Sequence, residues 1–149
     1  MEEPRLRDHL SDLLSSQRLA VLATHADGQP YTSLVAFAAT DDLRCLVFAT
    51  ERGTRKHANL AADSRAALLV DNRSNDEADF ARAIAVTAIG QAEEAGGVEK
   101  ERLLALYLAK HPELKVFAAS PASALIRVAI RTYYVVSEFQ RVEELRVAE

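Results

Sequence analysis

A chain of 149 residues, 49 % of them hydrophobic, can bury one real core and is too apolar to stay disordered. A formal charge of −4 with no dense basic tract argues against a general nucleic-acid binder. No apolar run reaches membrane-spanning length and the acidic start Met1-Glu2-Glu3-Pro4 is unlike a secretory leader, so the expected setting is the cytoplasm.

Leu6, Leu10, Leu13 and Leu14 fall at helical spacing and predict an amphipathic helix over roughly residues 4–16. Leu19 to Thr24 reads as a first strand, followed by a turn with Asp27-Gly28 at its heart. Tyr31 to Ala38, rich in aromatic and β-branched residues, is a second strand, and Arg44 to Thr50 a third. A short helix from Thr54 to about Ala62 precedes a fourth strand, Arg65 to Val70. Asp71 to Arg82 is a polar loop with room for one helical turn, and Ala83 to Glu93 a fifth strand. Gly96-Gly97 breaks the chain before a helix from Val98 to Lys110, which His111-Pro112 ends. Ala124 to Phe139 is the sixth and last strand.

Strands one to three follow one another without the crossover helices that a parallel sheet needs. The expectation is a mainly β, single-domain chain over residues 1–149: a closed or nearly closed six-stranded antiparallel barrel with a few peripheral helices. The single cysteine, Cys45, sits in the third strand and reads as an inert thiol with no disulfide partner. His9, His25, His57 and His111 are scattered, so no metal site is expected, and the common nucleophile and nucleotide fingerprints are absent.

Chemistry concentrates between the third and fourth strands, at Thr50-Glu51-Arg52-Gly53-Thr54-Arg55-Lys56. Thr54 can cap the short helix through its hydroxyl. Arg55 and Lys56 then put two cations in the first turn, where they oppose the macrodipole. A dianionic phosphate reverses that sign, taking free helix N–H groups, Thr hydroxyls, an Arg fork and a Lys charge together. The bland alternative is a solvated basic pair on a surface helix. On the residues alone both readings stand.

The stretch Phe48-Ala49-Thr50-Glu51-Arg52-Gly53-Thr54-Arg55-Lys56 resembles the phosphate-binding segment of the pyridoxamine 5'-phosphate oxidase-like flavoproteins. In these FMN-binding split barrels an aromatic-x-Thr strand end and a turn lead into Ser/Thr-Arg-Lys at a helix start. The resemblance runs from about Leu19 to Val142 in strand order and spacing, with Thr-Arg-Lys its one sharp motif. It implies a Greek-key split barrel that binds FMN, with Thr50, Thr54, Arg55 and Lys56 on the phosphate. It further implies that Ser33, Leu34 and Val35 lie along the flavin ring, and that Tyr134 neighbours it. Asn72 is either a ring or ribityl contact across a dimer interface or simply the cap of a polar loop. A barrel of this size needs an outside wall for a ligand as large as FMN, and the last strand is apolar on both faces at Tyr133-Tyr134-Val135-Val136; together these predict a homodimer with its cofactor sites at the interface.

The departures are as informative. The family's namesake oxidases hold their substrate with an Arg-x-His pair after a Trp, positions that fall here on Gln140, Val142 and Tyr134. A Lys that ends their second strand is replaced by alanines (Ala36, Ala38, Ala39). The resemblance therefore implies a flavin-dependent oxidoreductase of unknown substrate, without vitamin-B6 oxidation. The alternatives are a non-catalytic flavin carrier or sensor, or the same fold holding the deazaflavin F420 or heme, the last needing an axial ligand.

Overall fold

Asp27 and Gly28 both take positive φ (52° and 80°), the mirror-image turn whose twist suits a two-residue hairpin. It folds β1 (Leu19–Ala26) back on β2 (Gln29–Ala39), which continues antiparallel into β3 (Cys45–Glu51). The computed structural model describes residues 2–148. Before the hairpin runs α1 (Glu3–Ser16), whose four leucines are all buried. After β3 come α2 (Arg55–Ala62), β4 (Arg65–Asp71), the single-turn α3 (Asp79–Arg82) and β5 (Ala85–Glu94). Then follow α4 (Gly97–Lys110), a 3₁₀ turn (Pro112–Leu114), α5 (Lys115–Ala119), β6 (Ser123–Ser137) and β7 (Arg141–Arg146).

The strand order is β3-β2-β1-β4-β5-β6-β7, and β3 also pairs with β6. Six strands thus close a barrel, with β7 added on the outside of the circuit. β4 lies beside β1 rather than beside β3, which makes β1 to β4 a Greek key and gives α2 the crossover. The expected six-stranded antiparallel split barrel is present, with one strand more.

That extra strand corrects the reading of the C-terminal run. β6 stops at Ser137, and Glu138, Phe139 and Gln140 (φ 47°, 49° and 74°) turn the chain into β7. A tight turn made of three left-handed non-glycine residues carries no Gly, Asn or Pro to announce it. β6 changes partner along its length. It pairs with β3 up to Ala129 and with β7 from Thr132 onward. Between them Ile89 faces Thr132 and Gly90 faces Ile130, leaving Arg131 as a bulge residue. The bulge is where the barrel splits.

Inside the barrel Leu22, Phe37, Phe48, Leu68, Val86 and Tyr133 pack together, with the α1 leucines in the same cluster. A second cluster joins Ala38, Val47, Ala49 and Leu125 to Leu103, Tyr107 and Ala118 of α4 and α5. β3 is therefore buried on both faces, which explains its unbroken apolar run. Two polar side chains in the core are met by backbone carbonyls. The Tyr133 hydroxyl donates to Leu43 O at 2.6 Å, and His111 Nε2, which must carry its proton, donates to Phe37 O at 2.7 Å. No described helix is long and apolar enough to cross a membrane.

Candidate functional site

The turn from β3 into α2 is held from both sides. The Arg52 guanidinium forks onto Glu94 at 2.7 and 2.8 Å, and Arg52 N donates to Ala122 O at 3.0 Å. Arg52 is thereby spent on structure. Thr54 caps α2 as its sequence position suggests: its Oγ1 accepts from His57 N at 3.3 Å. Thr50, buried at the strand end, stands 2.9 Å from it, hydroxyl to hydroxyl.

The first turn of a helix leaves N–H groups without helix acceptors. Here the Thr54 hydroxyl takes His57 N and Thr54 O takes Ala58 N at 3.1 Å, which leaves the Arg55 and Lys56 N–H groups without an acceptor among the described residues. The same turn contains no acid. Among the described residues Lys56 makes no ion pair, and Arg55 lies over the Tyr31 ring at 5.7 Å. Two cations and two N–H groups without acceptors among the described residues stand together at one helix start, an arrangement whose charge and geometry suit an anion.

Beside this turn lies a cleft of about 360 Å³. One wall is β2 at Leu34, Val35 and Ala36; β3 supplies Ala49, Thr50 and Glu51, and the α2 start supplies Thr54 and Lys56. The far wall is Tyr107, Leu114 and Phe117. The Tyr107 hydroxyl donates to Ala36 O at 3.1 Å, tying α4 to β2, and burial pushes its phenol up. A polar end beside a mostly apolar trough is the make-up of a site for a small ligand with an anionic tail.

Of the sequence candidates, Leu34, Val35, Thr50, Thr54 and Lys56 meet in this cleft, with Arg55 at its edge on the same turn. The other three lie elsewhere. Ser33 Oγ is buried with no hydrogen-bond partner among the described residues. Asn72 Oδ1 accepts from Ile84 N at 2.8 Å and closes the β4–β5 loop. Tyr134 sits on β6 between Thr87 and Glu144. The wall of Tyr107, Leu114 and Phe117 has no sequence signal beyond the helical spacing that marks Leu103 and Tyr107 as core. A larger hollow of about 630 Å³ on β1, β4, β5 and β6 contains none of the candidates. At its rim Asp63 occupies both His25 (3.0 Å) and Arg65 (2.8 Å). Cys45 is half-buried, and desolvation pushes its thiol up, which suits an inert role.

The sequence matches the family model for pyridoxamine 5'-phosphate oxidase over residues 6–137. No curated protein matches it. Three solved structures illustrate the fold. A heme binding protein from Mycobacterium smegmatis superposes with a TM-score of 0.86 at 20 % identity, over 99 % of this chain and 60 % of that one. This chain thus spans less than two thirds of that protein. General Stress Protein 26 from Bacillus anthracis gives 0.72 at 21 % identity, over 95 % and 98 % of the two chains. An FAD-binding protein from Mesorhizobium loti gives 0.68 at 20 % identity, over 85 % and 89 %.

Proposed function

The chain belongs to the pyridoxamine 5'-phosphate oxidase family, and we propose that it is an FMN-binding flavoprotein, a flavin-dependent oxidoreductase whose substrate is not pyridoxamine 5'-phosphate. The observation that carries this is the α2 start: two open N–H groups, the Thr50–Thr54 hydroxyl pair and an unpaired Lys56 beside one cleft. These groups hold the phosphate, and Arg55 can leave the Tyr31 face to add its fork. The β2 backbone at Leu34 and Val35 lies along the ring, while Tyr107, Leu114 and Phe117 keep water from the trough. When bound, the flavin supplies the redox chemistry, and the chain supplies position and electrostatics.

A relative that binds heme raises the rival reading, but among the described residues no His, Cys or Met lines this cleft, and the Tyr107 hydroxyl is already engaged by Ala36 O. The absorption spectrum of the purified protein separates flavin, deazaflavin and heme. Turnover with NADH or NADPH then separates an enzyme from a carrier. Lys56→Ala should weaken FMN binding about tenfold or more, since a charge-assisted bond to phosphate is worth about 1.5–3 kcal/mol. Riboflavin, which lacks the phosphate, should be indifferent. Equal losses for the two ligands in a fluorescence titration would show the phosphate lies elsewhere.

Oxidation of pyridoxamine 5'-phosphate should be negligible. Gln140 and Val142 offer no cation, and Arg141 between them is paired with Glu138 at 3.2 Å. A second phosphate finds no free partner there. Efficient aerobic formation of pyridoxal 5'-phosphate in a coupled assay would overturn this.

The proposal includes a homodimer with its two cofactor sites at the interface. Leu34 and Leu19 are 63 % and 51 % exposed, and with Val21 and Leu69 they form an apolar strip across the outer face of β2, β1 and β4. Leu34 belongs to both that strip and the cleft. A second copy seated on the strip closes the open side of the cofactor site. Asn72 and Tyr134, absent from the cleft of their own subunit, then reach the flavin only from the partner.

A further inference from the structure

Lys110, the last residue of α4, stands apart from the site above, and its surroundings are unusual for a lysine. Its Nζ donates to Leu14 O at 2.8 Å, at the C-terminal end of α1, and lies 3.9 Å from the centroid of the Phe37 ring. No carboxylate pairs with it among the described residues. It lines a cleft of about 320 Å³ between α1, α4 and the β2–β3 turn. Leu14, Ala39, Leu43 and Leu106 make the cleft largely apolar, while Ser11 and Thr40 bring hydroxyls to it. An ammonium held there gives up water for one carbonyl and an aromatic face, and gains no counter-ion.

We propose that Lys110 is a modification site of this chain, at which the ε-amine takes a small acyl group from a thioester or acyl phosphate. The neutral amine attacks the acyl carbonyl. A C–N bond forms, the bond to sulfur or phosphate oxygen breaks with its electron pair, and the amine releases one proton to solvent. The product suits the cleft better than the reactant. An amide nitrogen keeps one N–H for Leu14 O, the half-buried charge disappears, and the new carbonyl has the Ser11 hydroxyl on the same cleft wall. The acyl methyl enters apolar space.

Burial, and behind it the nearby positive charge of Arg18, pull the ammonium down to about 8. Arg18 itself is 3.5 Å from Glu113, and Asp41 is the acid that lines the cleft. Lys100 and Lys115 lie outside this cleft and serve as internal references.

The full-length protein is treated with a limiting amount of N-acetoxysuccinimide, a donor without the phosphate that Lys56 would hold, and each lysine is followed by peptide mass mapping. At pH 8 Lys110 should acetylate about tenfold faster than Lys100 and Lys115. Its rate should level off above pH 9. The acetylated protein should melt no lower than the untreated one, and Lys110→Arg should lose this label alone. Lys110 reacting no faster than the two reference lysines, a Lys110 rate still rising well past pH 9, or a lower melting temperature after acetylation would each overturn the proposal.

Discussion

Gly90→Ala should destabilise the protein by about 3 kcal/mol or more, lowering the melting temperature by roughly 10 °C for a chain of this size. A Cβ at Gly90 would lie 2.0 Å from Ala129 O and 2.8 Å from Ala129 C, both backbone atoms of the neighbouring strand. A side chain could swing away from such an intrusion. A strand cannot, because Ala129 is held by Cys45 of β3 on its other side. The neighbouring backbone is further fixed by Ile130 N donating to Arg44 O at 2.8 Å and by Val147 N donating to Arg131 O at 2.9 Å. The close approach follows from the bulge at Arg131, which lets β6 leave β3 and take up β7. Thermal unfolding followed by circular dichroism is the measurement. Unchanged stability would mean that the β5–β6 register at this point has been misread, and with it the place where the barrel splits. Ala88→Gly, two residues away on the inward face, should cost far less, because it removes one methyl group and forces no backbone apart.

How much of this was legible beforehand depended on where the information sits in the chain. The cap and the basic pair were readable because their chemistry is local: Thr54, Arg55 and Lys56 are consecutive, and a capping hydroxyl three residues from its N–H is a sequence-level pattern. The hairpin at Asp27-Gly28 was readable because positive φ at two positions selects those residue types. β7 was hidden for the opposite reason. Its only apolar residues are Val142 and Leu145, three apart and so on opposite faces of a strand. The far wall of the cleft was hidden because Tyr107 and Phe117 lie more than fifty residues from Thr50 and look like ordinary helix core. The structural role of Arg52 depended on Glu94, far along the chain, so the sequence showed three basic residues where only Arg55 and Lys56 are free to meet an anion. Local chemistry was visible, and long-range pairing was not.

The largest functional effect should come from a position that touches no cofactor. Leu69→Glu should convert the proposed dimer into monomers and take most of the FMN affinity with it. Leu69 pairs with Val21 across the β1–β4 ladder, is 36 % exposed, and does not line the cleft beside the α2 start. Interfaces of obligate dimers commonly bury upwards of about 2,000 Å², which keeps them assembled at nanomolar concentration. Twofold symmetry places the substitution in the interface twice. An unpaired carboxylate forced out of water costs about 2 kcal/mol or more, so two of them should raise the dimer dissociation constant about a thousandfold. The monomer itself should fold normally, because Leu69 points away from the barrel interior where Leu68 and Val70 pack. Sedimentation velocity from nanomolar to micromolar protein, run alongside FMN titration, reads both effects together. In the wild type the dimer should persist throughout. In the variant, FMN affinity should track the fraction of dimer and recover as concentration rises. A wild-type monomer that binds one FMN per chain at nanomolar concentration would place the whole site within one subunit and leave the apolar strip without this role. A variant that dissociates yet binds FMN undiminished would separate the two claims, keeping the interface and removing the partner from the cofactor site.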